Sequence, residues 1–154
     1  MKKRILVVCS IVMLLFVLTG CGDKTAISAD TFRSKMEAHD FYVSDASLQF
    51  SVYDFVENVT VAGDPSGNYQ LEFYTFTTDG DAIESFQTNK SDFEQKKGST
   101  STEKSKNGKN FESYSLTSNG RCMYVSRVDN TMLYLDIPDS YKKEVKKIVK
   151  ELGY

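Results

Sequence analysis

Three segments of the chain carry apolar residues at the three- and four-residue spacing of an amphipathic helix. They predict helices at 28–40, with Ser28 as the N-cap, at 79–98 and at 141–152. The third is the most amphipathic, because its apolar residues fall within about 100° of arc. Its opposite side carries five lysines: Lys142, Lys143, Lys146, Lys147 and Lys150.

Between the first two helices the pattern favours strands. Val, Phe and Tyr are frequent in residues 41–62, which predict one or two strands, at 41–44 and 55–62. A dense turn signal follows, and residues 69–77 then alternate strongly between apolar and polar positions, as a half-buried strand does.

Residues 99–110 hold no apolar residue, so we expect either a mobile loop or an exposed hairpin arm there. A three-stranded meander is predicted after them, at 111–118, 121–128 and 131–137. Asn119-Gly120 is a strong signal for a type I′ turn, and Asp129-Asn130 is read as a second tight turn. The order helix, two strands, helix, three strands, helix predicts an α+β domain in two layers with an antiparallel sheet.

Two-residue turns in the meander would fix its register. Glu112 then lies opposite Arg127, which predicts a cross-strand ion pair. The opposite face of the meander is the more apolar one and is expected to form the core; it carries Phe111, Cys122, Tyr124, Val128, Leu133, Leu135 and Ile137.

The face that carries the predicted ion pair becomes a candidate interaction surface. It combines aromatic residues, methionines and one arginine, a composition that is enriched at protein interfaces. The alternative is that a loop or a helix covers this face. The candidate residues are Tyr114, Leu116, Met123, Arg127, Met132 and Tyr134.

The N-terminus has the pattern of an export signal. Met1-Lys2-Lys3-Arg4 is a positive run, and the fourteen residues from Ile5 to Leu18 carry no charge. A bilayer-spanning helix needs about 20 residues, so this length is typical of the apolar region of a secretory signal peptide.

Leu18-Thr19-Gly20-Cys21 follows directly and resembles the lipobox of bacterial lipoproteins. The resemblance implies cleavage between Gly20 and Cys21 by the lipoprotein signal peptidase, with a diacylglyceryl group on the Cys21 thiol. Two acyl chains anchor a protein stably, whereas one does so marginally. The similarity covers residues 1–21 and extends in general features to small lipoproteins of Gram-positive bacteria. The alternative is an ordinary secreted protein with an incidental cysteine.

This interpretation divides the chain into a signal peptide at 1–20, a lipidated Cys21 with a short tether at 21–26, and one domain at 27–154. Residues 1–20 hold three of the 19 basic residues and none of the 21 acidic ones, so their removal leaves 134 residues with a net charge of −5. An acidic domain of this size argues against nucleic-acid binding, which requires a basic footprint. It is also too short for a two-lobed solute receptor.

The chain offers little for catalysis. His39, the single histidine, lies at a predicted helix end, where it can interact favourably with the helix dipole. Asp79 and Asp81 suggest helix capping rather than a calcium loop, whose spacing does not continue beyond them. Cys122 would be the one free thiol of the mature domain and is expected to be a small buried residue rather than a reactive nucleophile. We therefore predict no metal, no cofactor and no enzymatic activity.

The sequence thus predicts a lipid-anchored protein on the outer face of the cell membrane that binds an envelope protein or a small ligand. A Gram-negative source would favour the outer membrane, because Gly22 is not the aspartate that marks inner-membrane retention. Two alternatives are a small envelope enzyme and a structural or immunity-type lipoprotein. The basic face of the last helix suggests contact with anionic lipid. However, Glu144 and Glu151 reduce its charge, and lysines also simply keep a helix soluble.

Overall fold

A computed structural model describes residues 22–154, which form three α-helices and seven β-strands. The predicted signal peptide at 1–20, which includes Gly20, and the predicted lipidation site Cys21 lie outside the described residues. The helices are α1 (Ala29–Ala38), α2 (Asp79–Gln95) and α3 (Lys142–Leu152). The strands are β1 (Tyr42–Asp45), β2 (Val56–Gly63), β3 (Gln70–Phe76), β4 (Ser101–Asn107), β5 (Phe111–Ser118), β6 (Arg121–Val128) and β7 (Thr131–Pro138).

The strands form one antiparallel sheet in the order β1-β2-β3-β7-β6-β5-β4. The predicted α+β class and element order are confirmed. The segment 41–62 supplies two strands, and the polar segment 99–110 contains β4, which pairs with β5 as an exposed hairpin arm and forms one edge of the sheet. No helix of the described part is long and apolar enough to cross a membrane.

Helices cover both faces of the sheet, so the domain has three layers rather than the two expected. On one face, Phe32 and Met36 of α1 and Ile148 and Leu152 of α3 pack against apolar residues of the strands. On the other face, Phe86 and Phe93 of α2 lie over the meander. Successive side chains of a strand point to opposite faces, which is why two separate apolar clusters share the same strands.

The predicted Ser28 cap and the predicted turns are present. The Ser28 side chain accepts a hydrogen bond from the backbone of Thr31. Helix α2 is capped by Thr78, and not by Asp79 or Asp81 as the sequence suggested. Asn119 and Gly120 both have positive φ, as a type I′ turn requires. The predicted register of the meander is confirmed for every pair, including Glu112 with Arg127.

The antiparallel order defines two ends of the sheet, here called the lower end and the upper end. At the lower end, β1 leads into residues 46–55, β4 turns into β5 at 108–110, and β6 turns into β7 at 129–130. The upper end carries the turns at 64–69 and 119–120. Helix α3 follows β7 from the upper end and finishes at the lower end, where the Tyr154 hydroxyl hydrogen-bonds Thr131.

Candidate functional site

The predicted interaction surface is buried, because α2 covers the sheet face on which it lies. Five of its residues are buried: Tyr114, Leu116, Met123, Arg127 and Met132. Tyr134 is half-buried and packs its ring against Phe93 of α2, with 5.2 Å between ring centroids. The hypothesis that this face is an exposed interaction surface is therefore wrong, and the alternative of a covering helix is correct.

The ion pair predicted within that face is present. Arg127 Nε lies 2.8 Å from Glu112 Oε2, and Gln87 of α2 donates to the other carboxylate oxygen at 3.2 Å. The pair is thus an internal link between the hairpin and the covering helix. It is not a contact point for a partner.

The other residues considered for chemistry have structural partners. His39 is the C-cap of α1, and its Nε2 lies 2.8 Å from Glu151 Oε2 of α3. Asp79 and Asp81 are in the first turn of α2, where the Asp81 amide donates to the Thr78 hydroxyl. Among residues 22–154, no group of three or more His, Cys, Asp or Glu side chains is placed to hold a metal ion.

A groove of about 670 Å³ lies on the opposite face, between α3 and strands β4 to β7. Its volume is within the range of about 300–1,000 Å³ that is usual for ligand sites. We call it the lysine groove, because eight lysines line it while no Asp or Glu of the described chain does. They are Lys24, Lys104, Lys106, Lys142, Lys143, Lys146, Lys147 and Lys150.

The floor of the lysine groove changes from polar to apolar across the sheet. One cross-strand row runs from Lys104 on the edge strand through Ser115 and Tyr124 to Leu135. Next to it, Cys122 and Ile137 line the floor, and Val145 and Val149 of α3 form the apolar wall. A molecule in this groove would meet aliphatic and aromatic carbon in the centre and ammonium groups along both rims.

The charges of α3 are separated between its two sides. All five lysines of the helix line the groove. Glu151 instead lies against α1, where it accepts a hydrogen bond from Lys35 through its carbonyl and pairs with His39 through its carboxylate. Glu144 lies near Tyr69, whose pKa is raised mainly by burial and further by the Glu144 charge. The two glutamates therefore lie outside the lining of the lysine groove, which holds all five lysines of the helix.

Helix α3 supplies one rim of the groove, and the edge strand and the tether supply lysines that sequence reasoning missed. Lys104 and Lys106 alternate with Glu103 and Ser105 along β4, so that both lysines point to the groove face. This two-residue alternation is a strand signal in the sequence. It is weak, because a segment without apolar residues lacks the pattern that usually identifies a strand.

The tether is held against the sheet at the lower end of the groove. The Asn110 side chain accepts from the Lys24 amide at 3.0 Å and donates to the Lys24 carbonyl at 2.8 Å. The Lys24 ammonium lies 4.9 Å from the centroid of the Phe111 ring. Burial and the neighbouring Lys106 charge lower the pKa of Lys24, which reflects the crowding of positive groups at this position.

Cys122 is buried in the floor, as the sequence predicted. Burial raises the pKa of its thiol, although the nearby Lys142 charge and a hydrogen bond with Thr117 oppose the shift. A thiol with a raised pKa is a poor nucleophile near neutral pH. The lining residues thus suit binding better than covalent chemistry.

A second cavity of about 440 Å³ lies near the upper end, beside β3 and β7. Glu72, Tyr134 and Asp136 line it together with the turn that joins β2 to β3. Both carboxylates of this cavity are already engaged by the protein, because the Tyr74 hydroxyl donates to Glu72 and Asp136 pairs with Arg121 and Lys96. The cavity lacks the apolar wall of the lysine groove.

Comparison with known proteins adds no family to this description. No protein-family model matches the chain, and no curated protein matches it either.

Proposed function

We propose that this chain is the precursor of a lipid-anchored extracytoplasmic protein whose domain binds an anionic amphiphile in the lysine groove, without catalysing a reaction. The ligand would combine a carboxylate or phosphate group with an apolar portion. The observation that carries this proposal is the segregation of charge: half of the 16 basic residues that follow Gly20 line one groove, in a protein whose mature charge is −5.

Random placement of surface lysines does not account for this arrangement. Lysines that serve solubility are interspersed with acidic residues, whereas these eight face one concave surface with an apolar floor. A cleft lined by charge of one sign raises the local concentration of oppositely charged ligands. The apolar floor then gives binding energy to the uncharged part of such a ligand.

The anchor is supported by the sequence at residues 1–21. The Leu18-Thr19-Gly20-Cys21 motif follows a charged segment and an apolar segment of signal-peptide length. Intact-mass analysis of the protein extracted from bacterial membranes tests it. We expect a chain that starts at Cys21 and carries a diacylglyceryl group, and a Cys21→Ser variant that remains an uncleaved precursor. An unmodified mature N-terminus would contradict the anchor.

The ligand class is tested with three probes on protein produced from Gly22, which contains all seven strands of the sheet. Calorimetric titration with dodecyl phosphate should give saturable binding that weakens as salt screens the lysines. Dodecyl maltoside, which lacks the charge, and inorganic phosphate, which lacks the chain, should both bind at least about tenfold more weakly, a difference of about 1.4 kcal/mol.

Charge reversal locates the binding site. Lys104→Glu with Lys146→Glu changes one lysine on each rim, and each change should cost about 1 kcal/mol or more of headgroup attraction. We expect the dissociation constant for dodecyl phosphate to rise by at least about tenfold. Lys109→Glu is the matched control, because Lys109 is exposed outside the groove. Equal weakening by the control would place the binding elsewhere.

A further inference from the structure

The lower end of the domain carries an exposed apolar loop that no part of the proposed ligand site uses. Residues 46–55, here called the apolar loop, connect β1 to β2 through a short 3₁₀ turn. Leu48 is 91% exposed, Val52 79%, Tyr53 49% and Phe55 41%. Single exposed apolar residues are ordinary, but four within eight positions of one loop form a patch that marks an interaction surface.

The apolar loop is ordered by its own hydrogen bonds. The Ala46 amide donates to the Val59 carbonyl at 2.8 Å, and the Val59 amide returns a bond to the Ser47 hydroxyl at 3.0 Å. Further along, the Thr77 amide donates to the Phe55 carbonyl at 3.0 Å. Since its backbone is tied to β2 and to the end of β3, the loop holds its apolar side chains in a fixed outward position.

The first residues of the described chain, which follow the proposed lipid anchor, lie at the same end of the sheet. Lys24 is fixed to Asn110 at the lower turn between β4 and β5. Cys21 lies three residues before it, within a reach of about 10 Å. The apolar loop joins β2, four strands away from β5, which corresponds to about 19 Å at the usual strand spacing. Tether and loop thus define two separate points on one end of the domain.

We propose that the apolar loop inserts into the interface of the bilayer that holds the Cys21 anchor, so that the domain stands on its lower end. This inference rests on the proposed lipid anchor. The mixture of aliphatic and aromatic side chains suits the boundary between headgroups and acyl chains. A bilayer within about 10 Å of Lys24 can meet Leu48 and Val52 without any change of the fold.

The charges near the loop identify apolar burial as the driving force. Asp45, Asp54 and Glu57 lie in the loop or beside it, and the loop itself contains no Lys or Arg. Attraction to anionic lipid therefore does not hold the loop on the membrane, and insertion should also occur in uncharged phosphatidylcholine vesicles. In this orientation the lower opening of the lysine groove, between Lys24, Lys106 and Lys150, faces the lipid headgroups.

The chain contains no tryptophan, so the fluorescence of a single introduced tryptophan reports on its own position alone. The lipidated protein that starts at Cys21 is produced with Leu48→Trp or Val52→Trp and reconstituted into phosphatidylcholine vesicles. Both positions are exposed, so neither substitution removes packing. Ser66→Trp is the matched control, because Ser66 is exposed in the β2–β3 turn at the upper end. Brominated lipid tails then quench tryptophans that reach the bilayer.

We expect quenching of at least twofold for both loop reporters and none for the control. Vesicle flotation shows independently whether the anchor holds the protein on the membrane. Protein that floats with the vesicles while its loop reporters are not quenched would overturn the loop insertion and leave the anchor intact. Equal quenching of all three reporters would overturn the orientation. Protein that does not float would contradict the proposed anchor itself, and the inference with it.

Discussion

Arg127 and Glu112 face each other directly across the β5–β6 hairpin, and their side chains meet at 2.8 Å beneath α2. The exposed fractions of the two side chains are 8% and 24%, so the arginine is the more deeply buried partner. Arg127 also donates to the Asn110 carbonyl at 3.3 Å. The ion pair thus extends to the residue that fixes the tether.

Removal of either partner should destabilise the domain. Arg127→Ala leaves the Glu112 carboxylate without its strongest partner, and we expect the free energy of unfolding to fall by about 1–3 kcal/mol. A double-mutant cycle with Glu112→Ala should give a coupling energy of about 0.5–3 kcal/mol in urea denaturation.

The Lys90–Glu94 pair on α2 provides the reference for this cycle. Its atoms lie 3.5 Å apart with a spacing of four residues on one helix, and such pairs couple by about 0.3–0.5 kcal/mol. A coupling between Arg127 and Glu112 no larger than this value would show that the buried pair does not link the hairpin.

Asn110 should control the order of the tether. Its side chain makes two hydrogen bonds to the Lys24 backbone and one to Asp129 Oδ1 at 2.9 Å. We expect Asn110→Ala to reduce hydrogen-exchange protection of the Lys24 amide at least tenfold, because the acceptor of that amide is removed. The corresponding free energy is about 1.4 kcal/mol, within the range of a single hydrogen bond.

Asn89→Ala is the control for that measurement. Asn89 donates to the Ser85 carbonyl within α2 and has no contact with the tether. Its substitution should leave the Lys24 amide protected. Similar protection of Lys24 in the Asn110 variant and in the native protein would contradict the role assigned to Asn110.

The register of the meander can be predicted from the sequence because it depends on local turn residues. Asn119-Gly120 accommodates positive φ at both turn positions, and a two-residue turn fixes every pair of the following hairpin. The register of Glu112 with Arg127 therefore follows from the two-residue Asn119-Gly120 turn and the alternating pattern of the strands. No tertiary information was needed for it.

The sheet face that each helix covers could not be predicted from the sequence. The helical spacing of Phe86 and Phe93 predicts α2, but it contains no information about which face of the sheet these residues pack on. Either face of the meander was apolar enough to receive a helix, and both do. The burial of Tyr114 and Met123 therefore could not be deduced from periodicity.

The lysine groove could not be predicted from the sequence either, because its two rims come from distant segments of the chain. Lys104 and Lys146 are 42 positions apart in the chain, and they share a groove because β4 joins β5 at the sheet edge while α3 returns over β6 and β7. The sequence showed one basic helix face. The topology placed a second row of lysines opposite to it.

Gly108 should be intolerant of any side chain, although its φ is not in the left-handed region. A Cβ at this position would lie 2.1 Å from a ring carbon of Phe111, a buried residue of the cluster under α1 and α3. We expect Gly108→Ala to lower the free energy of unfolding by about 1–3 kcal/mol through displacement of this ring. Urea denaturation measures the difference.

Gly80→Ala is the matched substitution for Gly108→Ala. Its Cβ would meet the Thr78 hydroxyl oxygen at 3.5 Å, an ordinary contact, and the residue lies in the first turn of α2. Alanine has the higher helix propensity, so this variant should be as stable as the native protein or slightly more stable. Equal destabilisation by both substitutions would exclude the Phe111 ring as the cause.

Alkaline pH should destabilise the domain through its buried tyrosines. Burial raises the pKa of Tyr69 from 10.0 to about 12, and the charges of Glu144 and Asp64 add to the shift. Burial likewise raises the pKa of Tyr134 to about 12. The folded state therefore holds phenolic protons that the unfolded chain releases above pH 10. The free energy of unfolding that these protonated tyrosines contribute is fully present below pH 10 and is lost as the pH rises toward 12.

Urea denaturation at pH 8, 9, 10 and 11 measures how the free energy of unfolding falls with pH. The Tyr69→Phe variant separates the contribution of Tyr69 from that of the other tyrosines. The Tyr69 hydroxyl is buried without a hydrogen-bond partner in the described structure, so its removal should leave stability at pH 8 unchanged or higher. The loss between pH 10 and pH 11 should become smaller in this variant. Tyr42→Phe, at a site that is 73% exposed, should change neither quantity. An undiminished alkaline slope in Tyr69→Phe would show that Tyr69 ionises as readily in the folded protein as in the unfolded chain.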